Sequence, residues 1–186
     1  PPAGFKYYRH PGGLYAVPLP EGWLVSTADN RVDAKNPAGT VFLMCDVSPR
    51  EARSLNEFAD TVLARTRQQF PTWREDAQRR GITVCGHQGI VAAAAGMTNR
   101  HEMGLYFLVM TDTHQFLLGC FCAFEDRNAC QPLFAKVFQY WKVTAAAGPT
   151  PAPSPFPPTP APPPEWQARL AEACRGAETH AGAGRF

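Results

Sequence analysis

The chain has 186 residues, a formal net charge of +2 and a charged fraction of 18%. Because basic and acidic residues are interspersed, the sequence shows no basic stretch of the kind expected for binding nucleic acid or an anionic membrane. No apolar run approaches the roughly 18 residues of a membrane span, so the sequence predicts a protein that is at most peripheral to a membrane.

The first part of the chain predicts β-strands. Phe5–Tyr8 and Leu14–Leu19 are rich in aromatic and β-branched residues, and the turn sequence His10-Pro11-Gly12-Gly13 separates them. Two prolines confine the second strand to the edge of a sheet, because proline cannot donate a ladder hydrogen bond. Thr40–Val47 follows as an almost continuously apolar strand.

The strongest helix signal lies between residues 54 and 70. Ser54 and Glu57 form a capping box, in which each residue satisfies a backbone N–H of the first helical turn. The apolar residues that follow recur at helical spacing. Pro71 is incompatible with continuation, so the sequence predicts an amphipathic helix that ends near Phe70.

The rest of the body predicts four strands and a second helix. The strands are Gly81–Cys85, Gln88–Ala95, His101–Met110 and Gln115–Ala123, the last two forming a hairpin about Asp112-Thr113. Their loose alternation suggests burial on both faces. Pro132 near a first turn, followed by apolar residues up to Trp141, marks the helix. This order predicts the α+β class: an antiparallel β-sheet with helices packed on it.

The chain has six cysteines, an even number that permits disulfides and mildly favours an oxidising compartment. Cys122 near a strand end and Cys130 at a helix start are the pair best placed for a bridge, because a short loop joins them. Two alternatives stay open. One is that the cysteines are buried free thiols; the other is a metal site formed by Cys120, Cys122 and Cys130.

Motifs for catalysis are missing from the sequence. There is no Gly-x-Ser-x-Gly, no Gly-rich phosphate loop and no His-Glu-x-x-His. Cys85 and His87 could form a dyad, but the glycine between them favours a structural turn. His101 and His114 flank one hairpin too far apart to share an ion, and His114 with Asp112 supplies only two ligands. The sequence therefore predicts a protein that is not an enzyme and has no metal or cofactor.

The N-terminal sequence resembles a known family. Leu19-Pro20-Glu21-Gly22-Trp23, after a strand that contains tyrosine, is similar to the start of PsbP-like proteins. The order of elements follows that family over about residues 5–143. The resemblance implies an α/β/α sandwich around an antiparallel sheet, and action by binding, as in the extrinsic PsbP protein of the oxygen-evolving photosystem. No site residue is carried over, because no site motif of the family matches.

The sequence changes character after residue 145. Ten of the sixteen residues from Pro149 to Pro164 are proline, which predicts polyproline II at about 3.1 Å per residue. The helix formers after Glu165 place Trp166 and Leu170 on one stripe, and so short a helix needs a docking surface. The predicted organisation is a body (1–145), a Pro-rich linker (146–164) and a docking segment (165–186).

The first functional hypothesis is a non-catalytic accessory subunit on the exposed face of a larger bacterial complex. That complex would be membrane-bound, a photosynthetic or electron-transfer assembly, and reached from the periplasm or another extracytoplasmic space. Its protein subunits would contact the C-terminal strap. The predicted partner-binding residues are Pro157, Pro158, Pro162, Pro163, Trp166 and Leu170.

The alternative hypothesis is a free-standing periplasmic or surface lipoprotein that binds a small apolar ligand between sheet and helix. Such a ligand needs a concave pocket with few polar groups. The sequence predicts that its lining includes Leu105, Phe107, Phe116 and Phe138.

Overall fold

The computed structural model describes residues 1–144, so the linker and the docking segment lie outside the described residues. The described part contains strands, two α-helices and one short 3₁₀ turn (Phe124–Asp126). The strands are β1 (Phe5–Arg9), β2 (Tyr15–Pro20), β3 (Leu24–Ala28), β4 (Arg31–Lys35), β5 (Val41–Pro49), β6 (Arg74–Glu75), β7 (Arg80–Val84), β8 (His87–Met97), β9 (His101–Met110), β10 (His114–Ala123) and β11 (Lys142–Val143). The helices are α1 (Leu55–Gln69) and α2 (Arg127–Tyr140).

The main sheet is antiparallel and has eight strands. Its order is β3-β4-β5-β10-β9-β8-β6, and β7 pairs with β8 on the same edge as β6. The central strands β9 and β10 are buried at nearly every position, because both faces of the sheet are covered there. A second sheet, β1-β2-β11, lies on one side of the first.

The body therefore has three layers. On one face of the main sheet α1 packs against β8 and β9, burying Phe58, Val62 and Leu63 with Tyr106 and Leu108. The opposite face packs against α2 and the small sheet. This second core includes Tyr15, Val17, Leu43, Leu105, Phe107, Phe116, Leu118, Phe134 and Val137. The predicted α+β class, an antiparallel sheet with helices packed on it, is confirmed.

Helix α1 begins and ends where its sequence predicts. The Ser54 hydroxyl accepts a hydrogen bond from the Glu57 backbone N–H at 3.2 Å. The Glu57 carboxylate in turn accepts from the Arg53 backbone N–H at 2.8 Å, one residue earlier than in the usual capping box. At the other end the Phe70 N–H donates to the Thr66 carbonyl at 2.7 Å. Local hydrogen bonds thus define both ends of the helix.

Two local predictions are corrected by the structure, and four strands were not predicted. Strand β2 lies between β1 and β11 and is not wholly an edge strand, but β11 reaches only Tyr15 and Ala16, so Pro18 faces no second partner. Helix α2 starts at Arg127, well before Pro132, because the 3₁₀ turn leads directly into it. Pro132 has no N–H to donate to the carbonyl four positions earlier, at residue 128. Residue 128 is exposed, so water can hydrogen-bond to that carbonyl instead. Strands β3 and β4, β6 and β11 were not predicted.

Candidate functional site: a cleft beside helix α1

Helix α1 leaves part of the sheet face open. A helix is about 10 Å wide, whereas adjacent strands are about 4.8 Å apart, so one helix covers about two strands. Since α1 lies over β8 and β9, it leaves open the same face of β5 and β4, together with the part of β10 at Phe121. Phe42, Met44 and Asp46 of β5 are accordingly half-buried, while Leu43 and Cys45, on the opposite face, are buried.

The open part of the face forms a cleft of about 420 Å³ between α1 and the sheet. This volume lies in the range of roughly 300–1,000 Å³ that small-molecule sites occupy. Its apolar lining comes from Phe42, Met44, Val62, Phe70, Trp73, Tyr106, Leu117 and Phe121. Its charged lining comes from Arg31, Asp46, Arg65, Arg100 and Glu102. The cleft is thus an aromatic floor with a charged rim.

Phe121 is the centre of this aromatic floor. Its ring centroid lies 5.7 Å from that of Phe42, 5.4 Å from Tyr106 and 6.2 Å from Trp73. The last two contacts are edge-on, a favourable geometry for aromatic pairs. Phe121 is only partly buried, so part of its ring is available to a ligand.

Glycines in adjacent strands make room for these rings. A Cβ atom at Gly104 would lie 2.8 Å from the Phe121 ring, and one at Gly119 would lie 2.7 Å from it. Likewise, a Cβ atom at Gly96 would lie 2.6 Å from the Cα of Trp73. Only glycine therefore allows the aromatic side chains to lie flat on the sheet at these positions.

The charged groups of the rim differ in how far they are paired. Arg31 donates through Nε to Asp33, the nearer oxygen at 2.8 Å. Arg100 donates to Glu102 at 3.0 Å and to the Thr40 carbonyl at 2.9 Å. Within residues 1–144, the Arg65 side chain is exposed and its guanidinium forms no hydrogen bond or ion pair. The cleft therefore has donors that the described part of the chain does not engage.

Asp46 is an acidic group at one end of the cleft. It lies opposite Arg31 in the β4–β5 register and opposite Leu117 in the β5–β10 register. Burial raises the pKa of Asp46, and Arg31 and Arg65 partly oppose this effect by favouring the charged form. The carboxyl group is therefore more easily protonated than an exposed aspartate.

Trp73 carries an unsatisfied donor. The side chain is 2% exposed, and within the described chain its indole Nε1 is buried without a hydrogen-bond acceptor. A buried donor without an acceptor is uncommon in folded proteins. Trp73 therefore lines the cleft with its ring, while its indole N–H stays buried.

The pocket predicted from the sequence is placed on the wrong face. Leu105, Phe107 and Phe116 are all buried in the core against α2. Phe107 stacks on Phe138 with ring centroids 4.5 Å apart. Side chains of α2 and the small sheet cover this face of the main sheet. Leu105, Phe107 and Phe116 therefore belong to the hydrophobic core and do not line a pocket. The cleft lies on the opposite side of the same sheet.

Residues considered for catalysis are not brought together. Cys85 adopts φ 50° in the tight turn between β7 and β8, and its thiol contacts the Trp141 carbonyl at 3.9 Å rather than His87. His101 stacks on the Phe124 ring, and His114 is hydrogen-bonded to Thr113. No group of three metal-ligating side chains occurs within residues 1–144, and this includes Cys120, Cys122 and Cys130.

The two cysteines of the predicted bridge are neighbours. Cys122 and Cys130 are buried thiols, and the Cys122 side chain is hydrogen-bonded to that of Cys130. Burial raises the pKa of Cys130, and this contact partly offsets the effect. The disulfide itself stays a prediction. The predicted partner-binding residues, from Pro157 to Leu170, lie outside the described residues.

Comparison with known proteins supports the fold. No known family model and no curated protein sequence match the chain. A solved structure of cyanobacterial PsbP (CyanoP) from Synechocystis matches with a TM-score of 0.59 and 12% identity, over 76% of this chain and 93% of CyanoP. The fold is PsbP-like. At this identity the likeness concerns the fold alone.

Two further solved structures share the PsbP-like fold. LpqN, involved in cell envelope biogenesis of Mycobacterium tuberculosis, matches with a TM-score of 0.54 and 9% identity, over 76% of this chain and 91% of LpqN. PA94, a Pseudomonas aeruginosa protein of unknown function, matches with a TM-score of 0.51 and 14% identity, over 78% of this chain and 99% of PA94.

Neither helix of the described body is long and apolar enough to cross a membrane.

The sequence contains a signal for the cleft that local reasoning did not use. Phe42, Met44 and Asp46 alternate with apolar residues, so they share one strand face that ends in a charge. Gly104 and Gly119 interrupt two apolar strands, and isolated glycines in strands often mark close approach of another group. Together they indicate a flat patch on one side of the sheet.

Proposed function

We propose that this PsbP-like protein is a non-catalytic accessory subunit that binds the exposed face of a larger, membrane-bound bacterial complex. The observation that supports the proposal is the share of each chain that the structural matches cover. They span 91–99% of the solved PsbP-like proteins but only 76–78% of this chain. The Pro-rich extension is thus an addition to the common fold, and a strap to a partner is the role we assign to it.

The physical case for the strap rests on entropy and apolar anchors. Polyproline II is extended before it binds, so little conformational freedom is lost when its rings contact a partner. Trp166 and Leu170 would add buried apolar area at the end of the strap. Because the resemblance is to PsbP, a photosynthetic or other electron-transfer complex is the first partner to seek.

Removing residues 149–186 is expected to release the protein from its complex while the body stays folded. The physical reason is that the body retains both cores of residues 1–144. The measurement is affinity purification from native membranes followed by mass spectrometry of the co-purified subunits. The full-length Trp166→Ala/Leu170→Ala double variant should weaken association in the same assay. Stoichiometric co-purification of the truncated chain would rule out the strap.

We also propose that the protein is extracytoplasmic and that Cys122 and Cys130 form a disulfide there. The contact between their thiols supports this pairing. A loop this short is expected to add about 2–3 kcal/mol on the entropic model of disulfide stabilisation. Protein purified from its native compartment should show four free thiols out of six under denaturing, non-reducing conditions. Six free thiols would reject the bridge.

A second candidate function is binding of a small ligand by a free-standing periplasmic or surface protein. The cleft of about 420 Å³ beside α1 favours it, because its apolar floor is partly open to solvent. The two functions make different predictions. Ligand binding requires Phe42 and Phe121 but not the tail, whereas complex binding requires the tail.

A further inference from the structure

We propose that the cleft beside α1 binds a small amphiphile with one anionic head group, a carboxylate or a phosphate ester, on an apolar body. This inference rests on the second candidate function and adds the chemical class of the ligand. The head group would lie between Arg31 and Arg65, and the apolar body would lie over Phe42 and Phe121.

The shape of the cleft fits an elongated apolar body. Asp46 lies at one end and Phe42, beside Phe121, at the other. Phe42 and Asp46 are four residues apart on β5, so they are separated by about 14 Å at the rise of an extended strand. Met44 lies between them on the same face and is half-buried, with Gly119 as its partner across β10 and Asp33 as its partner across β4. A linear ten-carbon chain is of comparable length.

At the Asp46 end of the cleft, arginine N–H donors without an acceptor indicate that the ligand is an anion. Arg31 engages Asp33 through Nε alone, so within the described chain its two terminal nitrogens are not engaged. The Arg65 guanidinium forms no hydrogen bond or ion pair among residues 1–144. Both guanidinium groups act electrostatically on Asp46, yet neither forms an ion pair with it. Arginine donors in this arrangement match the oxygens of a carboxylate or phosphate.

Asp46 opposes binding of an anion and provides a second test. Its carboxylate lies in the field of the same two arginines that the ligand head would contact. The groups that face it are Arg31 and Asp33 from β4, Leu117 from β10 and Arg65 from α1. Asp46→Asn removes this negative charge with little change of shape. Anion binding should therefore become tighter.

The experiment is isothermal titration calorimetry of the full chain with decanoate, decyl phosphate and 1-decanol. We expect both anions to bind about fivefold more tightly than decanol, the upper end of what an exposed ion pair supplies. Arg65→Ala should weaken binding of the anions about fivefold and leave decanol unchanged. Asp46→Asn should tighten binding of the anions and leave decanol unchanged. The relative affinity of decanoate and decyl phosphate distinguishes the two head groups.

A matched control is Arg67→Ala. Arg67 is an exposed arginine on the same helix that does not line the cleft, so its loss should leave all three affinities unchanged. Thermal unfolding of each variant checks that the fold is retained. Equal binding of decanol and decanoate would overturn the anionic head group and leave ligand binding in place. Failure of all three probes to bind would overturn both proposals.

Discussion

Replacing Gly104 by valine is expected to abolish ligand binding in the cleft while the body remains folded. A Cβ atom at this position lies 2.8 Å from the Phe121 ring and 3.1 Å from the Trp73 ring. Trp73 is buried, whereas Phe121 is only partly buried, so the Phe121 ring must move toward the cleft and fill it. The cost in the free energy of unfolding should be about 1–3 kcal/mol, as for other overpacked sites.

The measurement combines decanoate titration with urea unfolding. The control is Gly81→Val on β7, an exposed glycine where an added Cβ atom meets nothing within 4 Å. This variant should bind decanoate normally and unfold within about 0.5 kcal/mol of the parent, as surface substitutions usually do. If Gly104→Val bound decanoate as the parent does, the ligand would not lie over Phe121.

Replacing Phe116 by alanine is expected to destabilise the protein strongly. Phe116 is fully buried between the sheet and the α2 layer, and neighbouring core residues cannot close the resulting cavity completely. The loss should be about 3–5 kcal/mol, which is a large part of the roughly 5–15 kcal/mol that holds a domain folded. Urea unfolding at 25 °C measures it as a lower midpoint.

The contrasting variant is Phe42→Ala on the open face of the same sheet. Because Phe42 is half-buried, its removal should cost less stability than that of Phe116 but should weaken decanoate binding. The pair tests which face of the sheet binds the ligand. A Phe116→Ala variant that kept its stability and lost decanoate binding would show that the ligand binds on the α2 face of the sheet.

Features controlled by neighbouring residues could be predicted from the sequence. The bounds of α1 follow from the hydroxyl of Ser54, the carboxylate of Glu57 and the proline after Phe70, all within hydrogen-bonding or steric reach along the chain. The β9–β10 hairpin follows from two long apolar runs on either side of Asp112-Thr113. Both signals are local, so no knowledge of the tertiary structure is needed to read them.

Features controlled by distant residues could not be predicted in this way. Strand β3 is exposed at every position and lacks the alternation of a half-buried strand; pairing with β4 alone makes it a strand. Pro18 and Pro20 predict that β2 has no neighbouring strand on one side. The short β11, far along the chain, decides which residues of β2 pair with a second strand in addition to β1. These outcomes depend on where other elements lie.

The sequence by itself determined the α+β class, the main helix and the central hairpin, because capping, periodicity and apolar runs act over a few residues. It also determined that Phe42, Met44 and Asp46 share a strand face. Only the tertiary structure decided that this face is open, since α1 is too narrow to cover the whole sheet and lies over β8 and β9. The opposite face, bearing Phe107 and Phe116, is equally apolar in sequence but is filled by α2 and a second sheet. Which of two apolar faces becomes a cleft is a property of packing between distant elements. The strand alternation and the glycines indicate a flat patch, but they do not indicate that α1 leaves it uncovered.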